Sequence, residues 1–235
     1  MRMAIVAAAL ALGACSAHGQ EGGDERAQRD FQVGTFDRVA LAGSPDVIVT
    51  VGGPPSVRAE GDAEAVEELE VRVEGGELRI GRRGHGGWSW SSRKGGVTIH
   101  VSAPALTAAA VTGSGNMRVD RVEGQSFSAA VTGSGNLTLG AVRVQQASFV
   151  LTGSGNVRAA GSAAQAQVSV TGSGNAHLDG LDTQSADLRV RGSGNASLRA
   201  TQTASVSLRG SGNVGISGGA RCSIDKRGSG DVRCG

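Results

Sequence analysis

The chain has 235 residues, 23 Lys+Arg against 21 Asp+Glu and a formal net charge of +2, enough for one domain that buries a sizeable core. Beyond the amino-terminal leader no stretch approaches the ~20 apolar residues a membrane-spanning helix requires, and 39 Gly with 4 Phe, 2 Trp and no Tyr imply a lean interior of small side chains. The near-neutral total hides an asymmetry: residues 16–80 hold 14 acidic and 6 basic groups, residues 81–235 hold 7 and 16, which favours anionic partners such as acidic polysaccharide or lipopolysaccharide rather than nucleic acid.

Met1 to Ala14 reads as an export signal, with Arg2 as the positive start and Ala4 to Leu12 as the apolar stretch. Leu12-Gly13-Ala14-Cys15 closes it and resembles the bacterial lipobox, which implies lipidation of Cys15 and membrane attachment through that lipid. Ser16 follows, and by resemblance to lipoprotein sorting signals this points to the outer membrane. Residues 15–30 are polar and charge-rich, as expected of a flexible tether.

From Phe31 the chain reads as a single β domain. Val39 and Leu41, then Val47, Val49 and Val51, alternate around Gly43-Ser44-Pro45-Asp46, which looks like a degenerate corner of a first rung. Asp62 to Leu69 is expected to be a short helix with Asp62 as N-cap, followed by a hairpin turning at Gly75-Gly76 between Val71–Val73 and Leu78–Ile80. The segment Gly81 to Gly96 collects Arg82, Arg83, Trp88, Trp90, Arg93 and Lys94 among glycines and serines. Exposed indoles flanked by cations could stack on sugar rings and pair with acidic groups, or the indoles could fold over an open edge as a lid. Val97 to Val101 is a strand leading through Pro104, so that 31–106 forms the irregular part of the domain and 107–235 the regular part.

Gly-Ser-Gly-Asn recurs with first glycines at 113, 133, 153, 172, 192 and 210, and a seventh copy at Gly228 ends in Asp231; the intervals are 20, 20, 19, 20, 18 and 18 residues. A fixed period this short marks a unit that must stack on its neighbours to bury its apolar face. Val111, Val131, Leu151, Val170, Val190 and Leu208 form one apolar column, interrupted by Lys226 in the last copy. Met117, Leu137, Val157, Ala176, Ala196 and Val214 form a second, and a third runs through Ala129, Phe149, Val168, Leu188, Val206 and Ile224. Alternation of this kind between turn residues predicts strands with one buried face, and coils of 18–20 residues predict a parallel β-helix. The asparagines are expected to stack as an amide ladder. The residue before each corner is Thr112, Thr132, Thr152, Thr171, Arg191, Arg209 and Arg227; the three arginines would form an outward column of like charge and a shallow groove for a polyanion.

Cys222 and Cys234, in an exported chain, are expected to bridge and staple the terminal coil on interior columns. A reactive or metal-binding pair would need His or further Cys nearby, and neither is present. No metal or cofactor is expected.

From about Phe31 to Gly235 the opening strand near Val39 to Val51, the step Ser102-Ala103-Pro104-Ala105-Leu106, the serial corners and the Cys-bounded end together resemble the head GIN domain family of auto-transporter adhesins. That resemblance implies a right-handed parallel β-helix, exported and often lipid-anchored, with no catalytic residues to carry over. The expected function is a non-enzymatic, lipid-anchored envelope protein with an adhesin-like or glycan-binding surface, able to associate end to end through an open coil edge. The alternative is a polysaccharide-processing enzyme. Asp120 and Asp179 lie three rungs apart, about 14 Å, beyond the ~5–9.5 Å of a glycosidase pair, and Asp179, Asp182 and Asp187 cluster only in sequence.

Overall fold

Each Gly-Ser-Gly-Asn unit turns the chain through one corner, and the residues between two corners wrap once around the core. The computed structural model of the protein describes residues 26–83 and 96–235. Strands β1 (Arg26–Phe31), β2 (Arg38–Gly43), β3 (Asp46–Val51) and β4 (Ser56–Asp62) precede α1 (Ala63–Glu67), the one helix among the described residues; β5 (Leu69–Glu74), β6 (Glu77–Arg82), β7 (Val97–Ala103) and β8 (Ala108–Gly113) follow. The bent strands β9 (Asn116–Gly133), β10 (Asn136–Gly153), β11 (Asn156–Gly172), β12 (Asn175–Gly192) and β13 (Asn195–Gly210) are one coil each, and β14 (Val214–Ser217), β15 (Arg221–Arg227) and β16 (Val232–Cys234) complete the last.

Neighbouring coils pair in parallel with their corners aligned: Asn116, Asn136, Asn156, Asn175 and Asn195 stand opposite one another from β9 to β13. The result is a parallel β-solenoid, as the period predicts. Coils of unequal length are accommodated away from the corner, at the breaks in register between Leu139 and Val142, Arg158 and Ala160, and Leu178 and Asp182. The strand leading into each corner therefore keeps an unbroken register, so outward columns there are straight.

The apolar columns are the core. Val111, Val131, Leu151, Val170, Val190 and Leu208 are all buried, as are Phe127, Phe149 and Leu188 in the columns behind them, and each Val or Leu contributes roughly 1.5–3 kcal/mol by leaving water. Glycine is required at the corner itself. Gly133 has φ +113°, and a Cβ placed on it would lie 2.5 Å from the carbonyl oxygen of Gly113 one coil below, so a larger residue would force the stacked corners apart.

The amino-terminal end closes with antiparallel strands. Gly43 stands opposite Gly113 and Asp46 opposite Asn116, making 43–46 the first corner of the stack. β6 and β7 continue the parallel pairing onto β2 and β3, and β5, β4 and then β1 add antiparallel strands outside them. Asp62 accepts a hydrogen bond from Ala65 N at 3.0 Å, capping α1 as expected, and Val66 packs inward. The hairpin turns at Gly75 and Gly76, both at positive φ. One boundary moves: the tether expected over 15–30 yields to strand at Arg26, because residues 26–31 find an open edge on β4, where Arg58 Nε reaches Asp30 Oδ1 at 2.7 Å. That hydrogen bond, with the charge of Asp30, raises the pKa of Arg58 further.

The carboxy-terminal end is an open edge among the described residues: β15 pairs only with β13 and β16 only with β14. A disulfide joins Cys222 to Cys234, as expected. The expectation that this coil points inward needs correcting. Ile224 is in register with buried Val206 yet 47% exposed, Cys222 is half-buried and Cys234 exposed, because a column becomes interior only when a further rung covers it. Lys226, opposite Leu208, is exposed for the same reason, and a lysine there blunts the edge against strand addition.

Candidate ligand-binding surface

The straight register before the corner brings the expected cationic column together. Thr171 stands opposite Arg191, Arg191 opposite Arg209 and Arg209 opposite Arg227, on successive rungs, at a spacing of about 4.8 Å. All three arginines are exposed. Arg227 has an ion pair with Asp225 at 3.7 Å; Arg191 and Arg209 have none among the described residues. Two guanidinium groups stacked without an intervening carboxylate are mutually unfavourable and leave their planar donor forks free for carboxylate, sulfate or phosphate.

A second set of cations, not among the residues singled out from the sequence, stands on the other side of the corner. Arg118, Thr138, Arg158 and His177 occupy one outward column of the strand leaving the corner, continued by Ser197, Gly215 and Arg233. Arg118, Arg158 and Arg233 form no ion pair among the described residues. The signal available in the sequence was the position two residues after each Asn, which lies across the turn from the Thr/Arg column.

The basic aromatic segment is described only at its start. Arg82 pairs with Glu68 at 2.7 Å and borders a groove of about 440 Å³ between the first corner, at Gly43 to Pro45, and the α1–β5 junction. The Arg83 backbone N donates to Glu68 O at 2.8 Å. Trp88, Trp90, Arg93 and Lys94 lie outside the described residues, as does Cys15.

The acidic residues weighed for catalysis each have a separate partner. Asp179 accepts from Ser197 Oγ at 2.7 Å, Asp182 pairs with Arg199 at 2.9 Å, Asp187 pairs with Arg189 at 2.9 Å, and Asp120 accepts from Val51 N at 2.9 Å. Among the described residues no three His, Cys, Asp or Glu converge as metal ligands. No helix of the described residues is long and apolar enough to cross a membrane.

The model of a family described as "Putative auto-transporter adhesin, head GIN domain" matches residues 35–220. The chain belongs to the head GIN domain family. The match runs from the first rung of this head GIN domain to just before Cys222, so the disulfide and Arg227 lie beyond it. Among solved structures, a putative adhesin from Bacteroides fragilis is 18% identical, aligning 90% of this chain with 97% of that one at a TM-score of 0.79. A putative lipid binding protein from Parabacteroides distasonis is 20% identical over 89% of this chain and 96% of that one, with a TM-score of 0.69. A putative adhesin from Parabacteroides merdae is 16% identical over 90% and 97%, also at 0.69. These likenesses establish the shared fold of the head GIN domain. No curated protein matches the sequence.

Proposed function

We propose that this head GIN domain protein is exported, held at the outer membrane by lipid on Cys15, and acts there as a non-catalytic, adhesin-like surface that binds anionic glycans. The observation that carries the binding reading is the in-register column of Arg191, Arg209 and Arg227, cations stacked at the spacing of the rungs with two of them unpaired. Family membership and the adhesin names of the structural neighbours support the class of function. The leader ending in Leu12-Gly13-Ala14-Cys15 supports export and anchoring.

A binding screen of the purified protein against anionic and neutral glycans tests it, with the triple variant Arg191→Gln, Arg209→Gln, Arg227→Gln alongside. The wild type is expected to retain acidic glycans selectively and the triple variant to lose at least tenfold in affinity with a melting temperature no lower than the wild type's, because like-charge repulsion is relieved. Equal binding by the two proteins would refute the assignment.

A further inference from the structure

We propose that the binding site runs the length of the solenoid: the Gly-Ser-Gly-Asn edge is a cationic rail that holds a linear polyanion parallel to the axis. This extends the glycan-binding reading above and rests on it.

The residue before each corner and the residue two places after its Asn flank the same turn, both facing outward. Taken rung by rung, these flanks carry Arg118, then Arg158, His177, Arg191, Arg209, and finally Arg227 with Arg233. The rung of Thr132 and Thr138 lacks a basic residue, as does the first corner, flanked by Ala42 and Ile48. The cations begin on the strand leaving the corner, pass to the strand entering it after His177, and return to both sides on the last rung. Between the flanks the corner presents the exposed serines 114, 134, 154, 173, 193, 211 and 229, whose hydroxyls accept or donate hydrogen bonds to a sugar.

Of the acidic groups beside this edge, all but Asp231 have a hydrogen-bond or ion-pair partner among the described residues. Asp46 at its foot accepts from Asn116 Nδ2 at 2.8 Å, and Asp120 and Asp179 accept from Val51 N and Ser197. Asp225 pairs with Arg227, and Asp231 stands at the far corner. The charge-paired residues Glu123–Arg143 and Asp182–Arg199 share a separate in-register column of the coils. Along the coils β9 to β13 the arginines without an ion pair are therefore Arg118, Arg158, Arg191 and Arg209, all on this edge, as is Arg233 on the last coil, while Arg26, Arg29 and Arg83 at the amino-terminal end and Arg221 and Lys226 on the last coil are the other unpaired cations among the described residues.

Spacing selects the ligand. Arg118 and Arg158 are two rungs apart, about 10 Å, too far to share one small anion, and the rail from Arg118 to Arg227 extends about 29 Å. A polymer with a carboxylate or sulfate on each sugar has a repeat close to one rung and meets the cations in turn. Each contact at an exposed arginine is weak, so affinity accumulates with length and falls with salt.

The test uses the purified protein with polygalacturonate fractions, comparing a long fraction with the trisaccharide across a series of NaCl concentrations. Three variants accompany the wild type: Arg118→Gln with Arg158→Gln, the Arg191/Arg209/Arg227→Gln triple, and Arg143→Gln with Arg199→Gln, which removes as much charge as the Arg118/Arg158 variant but from the separate ion-paired column, as a control. The long fraction is expected to bind the wild type at least tenfold more tightly than the trisaccharide. The Arg118/Arg158 variant is expected to weaken long-fraction binding and flatten its salt slope by about two, one per arginine, while the control retains the wild-type slope. If the Arg118/Arg158 variant matches the wild type and the triple variant loses binding, the rail is overturned and the three-arginine site stands. If no fraction binds the wild type, or the triple variant binds as well as it does, the underlying glycan-binding assignment falls as well.

Discussion

Asn156 donates from Nδ2 to Asn136 Oδ1 at 2.7 Å and receives a hydrogen bond from Asn175 Nδ2 at 2.9 Å. The same pattern runs from Asn116 to Asn213, always pointing toward the amino-terminal end. An amide is the side chain that can both accept and donate in this stack, and the two ends need less. At the foot Asp46 has only to accept, from Asn116; at the other end Asp231 reaches Asn213 Oδ1 with its backbone N at 3.2 Å, so a carboxylate suffices at both. It follows that Asp46→Asn is nearly neutral, within about 0.5 kcal/mol, whereas Asn156→Asp sets a carboxylate against Asn136 Oδ1 and costs about 1–3 kcal/mol at neutral pH. The introduced carboxyl would have its folded-state pKa raised, since only the protonated form can donate. The penalty is therefore greatest above the folded pKa and shrinks as the pH falls below it. Denaturant melts of both variants at neutral and acidic pH check this, and a pH-independent Asn156→Asp penalty would count against the ladder.

Among the elements, the terminal coil depends most on covalent help. β15 and β16 rest on β13 and β14 from one side only, β15 buries none of its residues fully, and the disulfide closes a separation of 12 residues. A bridge across a loop of that size contributes roughly 3 kcal/mol by restricting the unfolded chain. Replacing Cys222 and Cys234 by Ser is expected to release residues 218–235 first: hydrogen exchange there should rise to near the unfolded rate while β9 to β12 keep their protection. Uniform loss of protection along the chain would instead make the last coil part of one cooperative unit. The pairing of these cysteines was legible in the sequence, but the exposure of Ile224 was not, because the periodic pattern contains no information about where the stack ends.

For the whole molecule, contacts run almost wholly between adjacent coils, so stability should behave as a sum over rungs and their interfaces. Excising residues 133–152 removes one coil and joins Thr132 to Gly153, restoring Gly-Ser-Gly-Asn after the same Val131 column. The shortened protein is expected to fold with the same β circular dichroism and a melting temperature several degrees lower. A molten or aggregated product would mean that the coils are not interchangeable.

Periodicity alone determined the coil, its buried columns, the asparagine ladder and the first corner at Gly43 to Asp46, because in a solenoid each residue's environment is set by its place in a repeat of 18–20. The N-cap at Asp62 and the turn at Gly75-Gly76 were equally local in origin. What only the tertiary structure decided depends on register between coils of unequal length. The slack is taken up between the residue two places after each Asn and the strand entering the next corner, which leaves the Arg191, Arg209 and Arg227 column straight and sets it across the same corner edge from the Arg118 and Arg158 column. The edges, too, were decided in three dimensions: β1 extends the domain to Arg26 because β4 offers an unpaired edge, and Ile224 is exposed because among the described residues β15 pairs on one side only.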